Sequence, residues 1–176
     1  LHIDTLLRQG NDFSVAYIDI DHFKPYNDLC GYSKGDLVIE LLAKIIQAEV
    51  RPATDYVYHI GGDDFLIVFT HNNSTTVLAQ VQQHFNERIK HYYSAAHLAA
   101  VGCSAVDRLG QPLFFPLISL SIGVVEPDPQ LCISQHDVSE LATNAKSQAK
   151  KTAGPSIFYS RRRGPAKQIS PENDAM

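Results

Sequence analysis

Residues 56–70 read Tyr56-Val57-Tyr58-His59-Ile60-Gly61-Gly62-Asp63-Asp64-Phe65-Leu66-Ile67-Val68-Phe69-Thr70, two runs of aromatic and β-branched residues around a Gly-Gly-Asp-Asp centre. Such runs predict two strands. Gly61 and Gly62 supply the positive φ that a tight hairpin requires, so the tip of this hairpin carries two carboxylates, Asp63 and Asp64. Taken alone the segment is equally a plain turn, because turns everywhere favour Gly and Asp.

Upstream, Phe13 to Ile20 (FSVAYIDI) predicts a central strand that delivers Asp19 and Asp21 to its carboxyl end. Gly31 and Gly35 bracket what reads as a polar turn, and Val38, Leu41, Leu42 and Ile45 then recur at helical spacing in a helix ending before Pro52. Leu1 to Leu7 reads as a further helix. Downstream, Ser74 and the two threonines after it are positioned to cap a helix with Leu78, Val81, Phe85, Ile89 and Tyr92 on one face. Ala100 to Pro116, with Gly102, Gly110 and two prolines, predicts a loop or an extra hairpin. Leu117 to Val125 predicts a buried strand, Val138 to Ala149 a long helix and Ser156 to Tyr159 an edge strand. The order implies an α/β fold with a mainly antiparallel central sheet flanked by helices, in one domain over residues 1–160. Residues 161–176 lack apolar periodicity and are expected to form a polar, mobile tail.

Composition narrows the function classes. At 176 residues and 44% hydrophobic, the chain suits a single core. Its net charge of -4 gives no surplus of Lys and Arg for a phosphate backbone, so DNA is not an expected partner. Cys30, Cys103 and Cys132 are odd in number and lack CxxC spacing, which points away from a disulfide framework or zinc and towards a reducing, cytoplasmic setting. The first residue is Leu1 rather than Met, so the expectation is a piece of a longer protein whose other domains are its partners.

Adjacent central strands would bring Asp19 within metal-bridging distance of Asp63 and Asp64. Hard oxygen ligands of this kind suit Mg²⁺ (or Mn²⁺), which keeps waters and completes its shell with substrate phosphates. Two such ions can activate an attacking hydroxyl and steady a leaving pyrophosphate. Glycines beside the acids let backbone and phosphate approach without a Cβ in the way.

Asp19-Ile20-Asp21-His22-Phe23-Lys24, then Asn27-Asp28, Gly31 and Gly35-Asp36, followed by the hairpin, closely resembles the DxDxFKxxND(x)nGxxxGD signature of GGDEF-family diguanylate cyclases, in a variant with a GGDDF signature. Ser119 to Val124 and Ala149-Lys150 resemble the family's late strand and the end of its last helix. The resemblance implies a palm-like, ferredoxin-like nucleotidyl-cyclase fold. It also implies a homodimer in which two GTP condense to cyclic di-GMP with release of pyrophosphate. Carried over by position, Asp19 and the carbonyl of Ile20 bind metal, Asp63 binds metal or helps deprotonate the hydroxyl, and Asp64 completes the cluster. Asn27 and Asp36 match the guanine-binding pair, while Lys24 and Lys150 are candidate phosphate contacts. From the residues alone, Asn27 also reads as a turn residue and Asp36 as a helix N-cap.

The pattern departs in places. Asp64 stands where the family name has Glu, one methylene shorter, moving its carboxylate by roughly an ångström. The GGDD signature is also similar to the palm domain of type III CRISPR cyclases, which make oligoadenylates. His59 stands where Arg is common, and Pro155 or its neighbours replace a phosphate-binding Arg. Asp55 fits the end of the family's inhibitory RxxD motif, but Pro52 fills the expected Arg position and Arg51 lies one residue further away. These departures give the alternative reading: a catalytically degenerate domain that binds GTP or cyclic di-GMP and regulates a larger signalling protein.

Overall fold

The computed structural model describes residues 2–106 and 109–165. Helix α1 (Ile3–Gln9) leads into strand β1 (Ser14–Ile20), helices α2 (Phe23–Cys30) and α3 (Tyr32–Glu49), and the hairpin β2 (Tyr56–Gly61) and β3 (Asp64–Phe69). Helix α4 (Ser74–Arg88) continues as a 3₁₀ turn over Ile89–Tyr92, and the short α5 (Ala95–Ala99) follows. The chain closes with β4 (Gly102–Val106), β5 (Pro112–Pro116), β6 (Leu120–Val125), α6 (Gln135–Ala149) and β7 (Ser156–Tyr159). The main sheet runs β2-β3-β1-β6-β7, and only its β6–β7 pair is parallel. The expected mainly antiparallel α/β sandwich is what the chain forms, with β4 and β5 as a separate two-stranded sheet.

Strand β1 is central because it is apolar on both faces, and its alternation sorts the two cores. Ala16, Ile18 and Ile20 pack with Val38, Leu42 and Ile45 of α3 and with Leu78, Val81 and Phe85 of α4. Val15 faces the other way, into a second core with Leu6 of α1, Leu66 and Val68 of β3, and Leu141, Ala142 and Ala145 of α6. Tyr17 packs against this second core, and period-two alternation puts Asp19 on the same face as Tyr17. At Gly123 of β6 an added Cβ would lie 2.1 Å from the Lys146 amide nitrogen, so the glycine lets α6 lie flush on the sheet.

Three local expectations are corrected. The stretch from Gly31 to Gly35 is not a turn, since α3 starts at Tyr32, and a helix that was not expected, α2, precedes it with Pro25 in its first turn, where an amide hydrogen has no intrahelical partner to lose. Gly35 lies within α3 and not ahead of it, and its missing Cβ leaves room for the neighbouring helix, since a Cβ there would sit 1.8 Å from Asn27 Oδ1. Helix α4 begins at Ser74, the expected cap, so the N-cap lies one residue earlier at Asn73, with no side-chain capping bond. The tail, too, is packed over its first residues: Arg163 Nε donates to the Glu126 carbonyl and the Asp128 amide to the Arg163 carbonyl. Residues 166–176, the rest of the expected mobile tail, lie outside the described residues.

Candidate functional site

The antiparallel register that pairs Ile18 with Phe65 carries Asp19 opposite Asp64 one residue on, at the carboxyl end of β1. Asp19 is 6% exposed. Its carboxylate is flanked by Lys150, whose Nζ ion-pairs with Oδ1, and by Lys146, whose Nζ lies 3.3 Å from Oδ2. Lys146 also donates to Asp64 Oδ1 at 2.7 Å and stands 4.0 Å from the centroid of the Tyr17 ring. The helix α6 thus contributes two ammonium groups, four residues apart on one flank, to carboxylates on β1 and β3.

Burial sets the electrostatics. It pushes the Asp19 carboxyl above its ordinary value, an effect that Lys150 and Lys146 reduce without reversing. It also raises Asp63, with the neighbouring Asp64 adding to the shift. For Lys146 burial works against the charge, but the hydrogen bond to Asp64 and the charges of Asp19 and Asp64 outweigh it and hold the ammonium above its ordinary pKa.

The hairpin tip is built by backbone. Gly62 has φ +56 and Gly61 φ +146, and the register shifts between His59 and Gly61. His59 lies against the Phe65 ring with centroids 4.6 Å apart, and its Nε2 is 2.8 Å from the Gly62 carbonyl. So placed, His59 braces the turn that presents Asp63. Ile20 ends β1 with its side chain in the α3 core. His22 follows with φ +59, an uncommon left-handed residue, and turns the chain from β1 into α2. Asp21 anchors that turn by accepting from Ser119 Oγ at 2.8 Å and Ser121 Oγ at 2.7 Å.

The remaining site residues sit on α2 and α3. Asn27 rests against Gly35, and its Oδ1 is buried with no hydrogen-bond partner in the protein. Asp36 is exposed beside this contact, within α3. It does not cap α3, whose N-cap is Gly31, so the capping account of Asp36 is removed. Lys24 is exposed in the first turn of α2, and among the described residues no hydrogen bond or ion pair ties it to the carboxylates. Two patches result: acids and lysines at the strand ends, and Asn27 with Asp36 across the α2–α3 contact.

For a divalent ion the donor chemistry fits, since Asp19, Asp63 and Asp64 offer hard oxygens and Asp19 is desolvated. The carboxylates nevertheless face lysines, and no group of three or more His, Cys, Asp or Glu arranged to hold a metal occurs among the described residues. Lys146 is the residue that sequence reasoning missed. Its signal was the i, i+4 spacing to Lys150 beside the Ala142, Ala145 and Ala149 stripe.

A family model described as "Diguanylate cyclase, GGDEF domain" matches residues 2–154. The chain belongs to the GGDEF-domain family. This GGDEF domain is 33% identical over 89 residues to the probable diguanylate cyclase DgcJ of Escherichia coli K12, covering 51% of this chain and 18% of that protein. To the diguanylate cyclase DosC of the same organism it is 36% identical over 76 residues, 43% of this chain and 16% of that protein. The chain therefore spans less than a fifth of either relative. Among solved structures, the GGDEF domain of DgcB from Caulobacter crescentus in complex with c-di-GMP superposes with TM-score 0.63 at 23% identity, covering 89% of this chain and 82% of that one. The active GGEEF domain of a diguanylate cyclase from Vibrio cholerae superposes with TM-score 0.57 at 23% identity, over 90% of each chain. These likenesses establish the palm-like fold. In this GGDEF domain no described helix is long and apolar enough to cross a membrane.

Proposed function

We propose that this GGDEF domain condenses two GTP to cyclic di-GMP as half of a homodimeric site with Mg²⁺ (or Mn²⁺). The observation that carries the reading is the meeting of Asp19 and Asp64 at the strand ends, with Asp63 on the adjoining turn, in a chain of this family. Mg²⁺ held by Asp19, the Ile20 carbonyl, Asp63 and Asp64 would supply positive charge at the triphosphate. Asp63, whose affinity for a proton is raised by burial, accepts the proton of the attacking 3′-hydroxyl on this reading. The 3′-oxygen then bonds to the α-phosphorus of the facing GTP and pyrophosphate leaves with the electron pair. Lys150, more exposed than Lys146, and Lys24 are free to turn to phosphate. Asp36 accepts from the ring and exocyclic donors of guanine, and the side-chain amide of Asn27 serves its acceptors.

The second reading is a regulatory module that binds GTP or cyclic di-GMP without turnover, within a longer signalling protein. It is favoured by the ion pairs that already neutralise Asp19 and Asp64, and by His59 being committed to the hairpin backbone. Incubating the domain at high concentration with GTP and Mg²⁺ separates the two. Cyclic di-GMP above an Asp63→Ala control supports the enzyme; nucleotide binding without product supports the module. A preference for ATP over GTP would overturn the roles given to Asn27 and Asp36.

A further inference from the structure

Lys146 has no part in the chemistry above, yet it is the best-held cation of the site. Its side chain is 14% exposed, lies over the Tyr17 ring, and reaches both Asp64 Oδ1 at 2.7 Å and Asp19 Oδ2 at 3.3 Å. The flush packing of α6 on Gly123 fixes the backbone it extends from. One ammonium joins carboxylates of two adjacent strands, the same oxygens that would hold a divalent ion, and like charge would keep the two from sharing them. Lys150 differs: 43% exposed at the end of α6, it has room to leave Asp19 for a phosphate.

We propose that Lys146 is a built-in cation that fills one of the two cation positions between Asp19 and Asp64, so that the domain takes one divalent ion per nucleotide where its carboxylates alone would take two. The inference rests on the nucleotide-and-metal reading of the site. Charge supports it: before nucleotide arrives, Asp19, Asp63 and Asp64 face Lys146 and Lys150, so the protein groups carry a single net negative charge, and Lys146 is the cation that stays when Lys150 turns to phosphate. Removing Lys146 doubles that deficit and opens the space between β1 and β3. Lys146 is thereby a positioning residue that holds the two carboxylates together before nucleotide arrives.

The test counts Mn²⁺ bound to the 176-residue chain by electron paramagnetic resonance, with saturating α,β-methylene GTP, in wild type, Lys146→Met and Lys146→Gln. Melting curves with and without Mn²⁺ accompany the counts. One ion per chain in the wild type and two in Lys146→Met, with a larger Mn²⁺-induced rise in melting temperature in the variant, is the expected result. Lys146→Gln, which keeps a polar end for Asp64, carries the comparison if the Met variant does not fold. Two ions in the wild type, or equal counts in all three proteins, overturns the role of Lys146 while leaving the nucleotide site intact. Absence of both Mn²⁺ and nucleotide binding in every protein overturns the site reading and this inference with it.

Discussion

Gly35→Ala is a substitution that separates stability from recognition. The new Cβ would lie 1.8 Å from Asn27 Oδ1, 2.8 Å from its Cγ and 3.2 Å from its Nδ2, with α2 otherwise undisturbed. Ordinary contact begins near 3.4 Å, so Oδ1 must retreat by about 1.6 Å, which a side-chain rotation of Asn27 achieves without moving backbone. The rotation carries the amide's N–H donors away with Oδ1, and a hydrogen bond from them to guanine is lost, at a cost of about 1 kcal/mol or roughly fivefold in Kd. Within the helix the change works in the opposite sense, because Ala is favoured over Gly by about 1 kcal/mol in a helix interior. For a domain of this size that raises the melting temperature by about 2–4 °C. Calorimetric titration with GTP and with guanosine, beside a thermal melt, reads both effects. Asn27→Ala should show the same loss of affinity, and the double variant no further loss. A folded, stabilised Gly35→Ala protein that binds GTP as tightly as wild type refutes the role assigned to Asn27.

Three other outcomes are expected. Asp36→Ala should weaken GTP by about 1.5–3 kcal/mol, roughly tenfold or more, with little change in melting temperature because Asp36 does not cap α3; unchanged affinity in titration refutes it. Gly123→Ala should destabilise the fold by about 1–3 kcal/mol in urea unfolding, since its Cβ meets the backbone of α6 at 2.1 Å rather than a mobile side-chain end; an unchanged midpoint argues against flush packing. Asp63 has a folded pKa above its ordinary 3.8, so its contribution to stability is present at low pH and lost as pH rises through the raised value. Asp63→Asn should therefore melt higher than wild type at neutral pH without metal, the gap closing on acidification, and a lower melting point at pH 7 contradicts the shift.

What the sequence disclosed follows from how each element announces itself. The run FSVAYIDI and the Gly-Gly-Asp-Asp hairpin are written in local pattern, and pairing Ile18 with Phe65 needed nothing beyond two adjacent strands. Helix α2 is too short, at eight residues, to carry a clear helical period of its own, and its Pro25 sits in the first turn where it costs no hydrogen bond. Gly35 likewise reads as a turn residue until α2 is known to lie against it, and only then does its missing Cβ become the space that the Asn27 side chain occupies. Asp36 inherited its capping account from that misplaced turn.

Lys146 was hidden for a different reason. Its helix has a clear apolar stripe of Val138, Leu141, Ala142, Ala145 and Ala149, and a lysine on the flank of such a stripe is ordinarily solvated. What makes it a buried ion-pair partner is the close approach of α6 to β6 at Gly123, which aims its four-carbon stem across Tyr17 at acids 82 residues away in the chain for Asp64. The pattern Asp19, Asp63 and Asp64 by itself describes a site short of positive charge, to be completed by metal and substrate. The packed structure supplies two such charges from the protein, and on the proposed reading of the site the net charge they leave limits the divalent cation that nucleotide brings in.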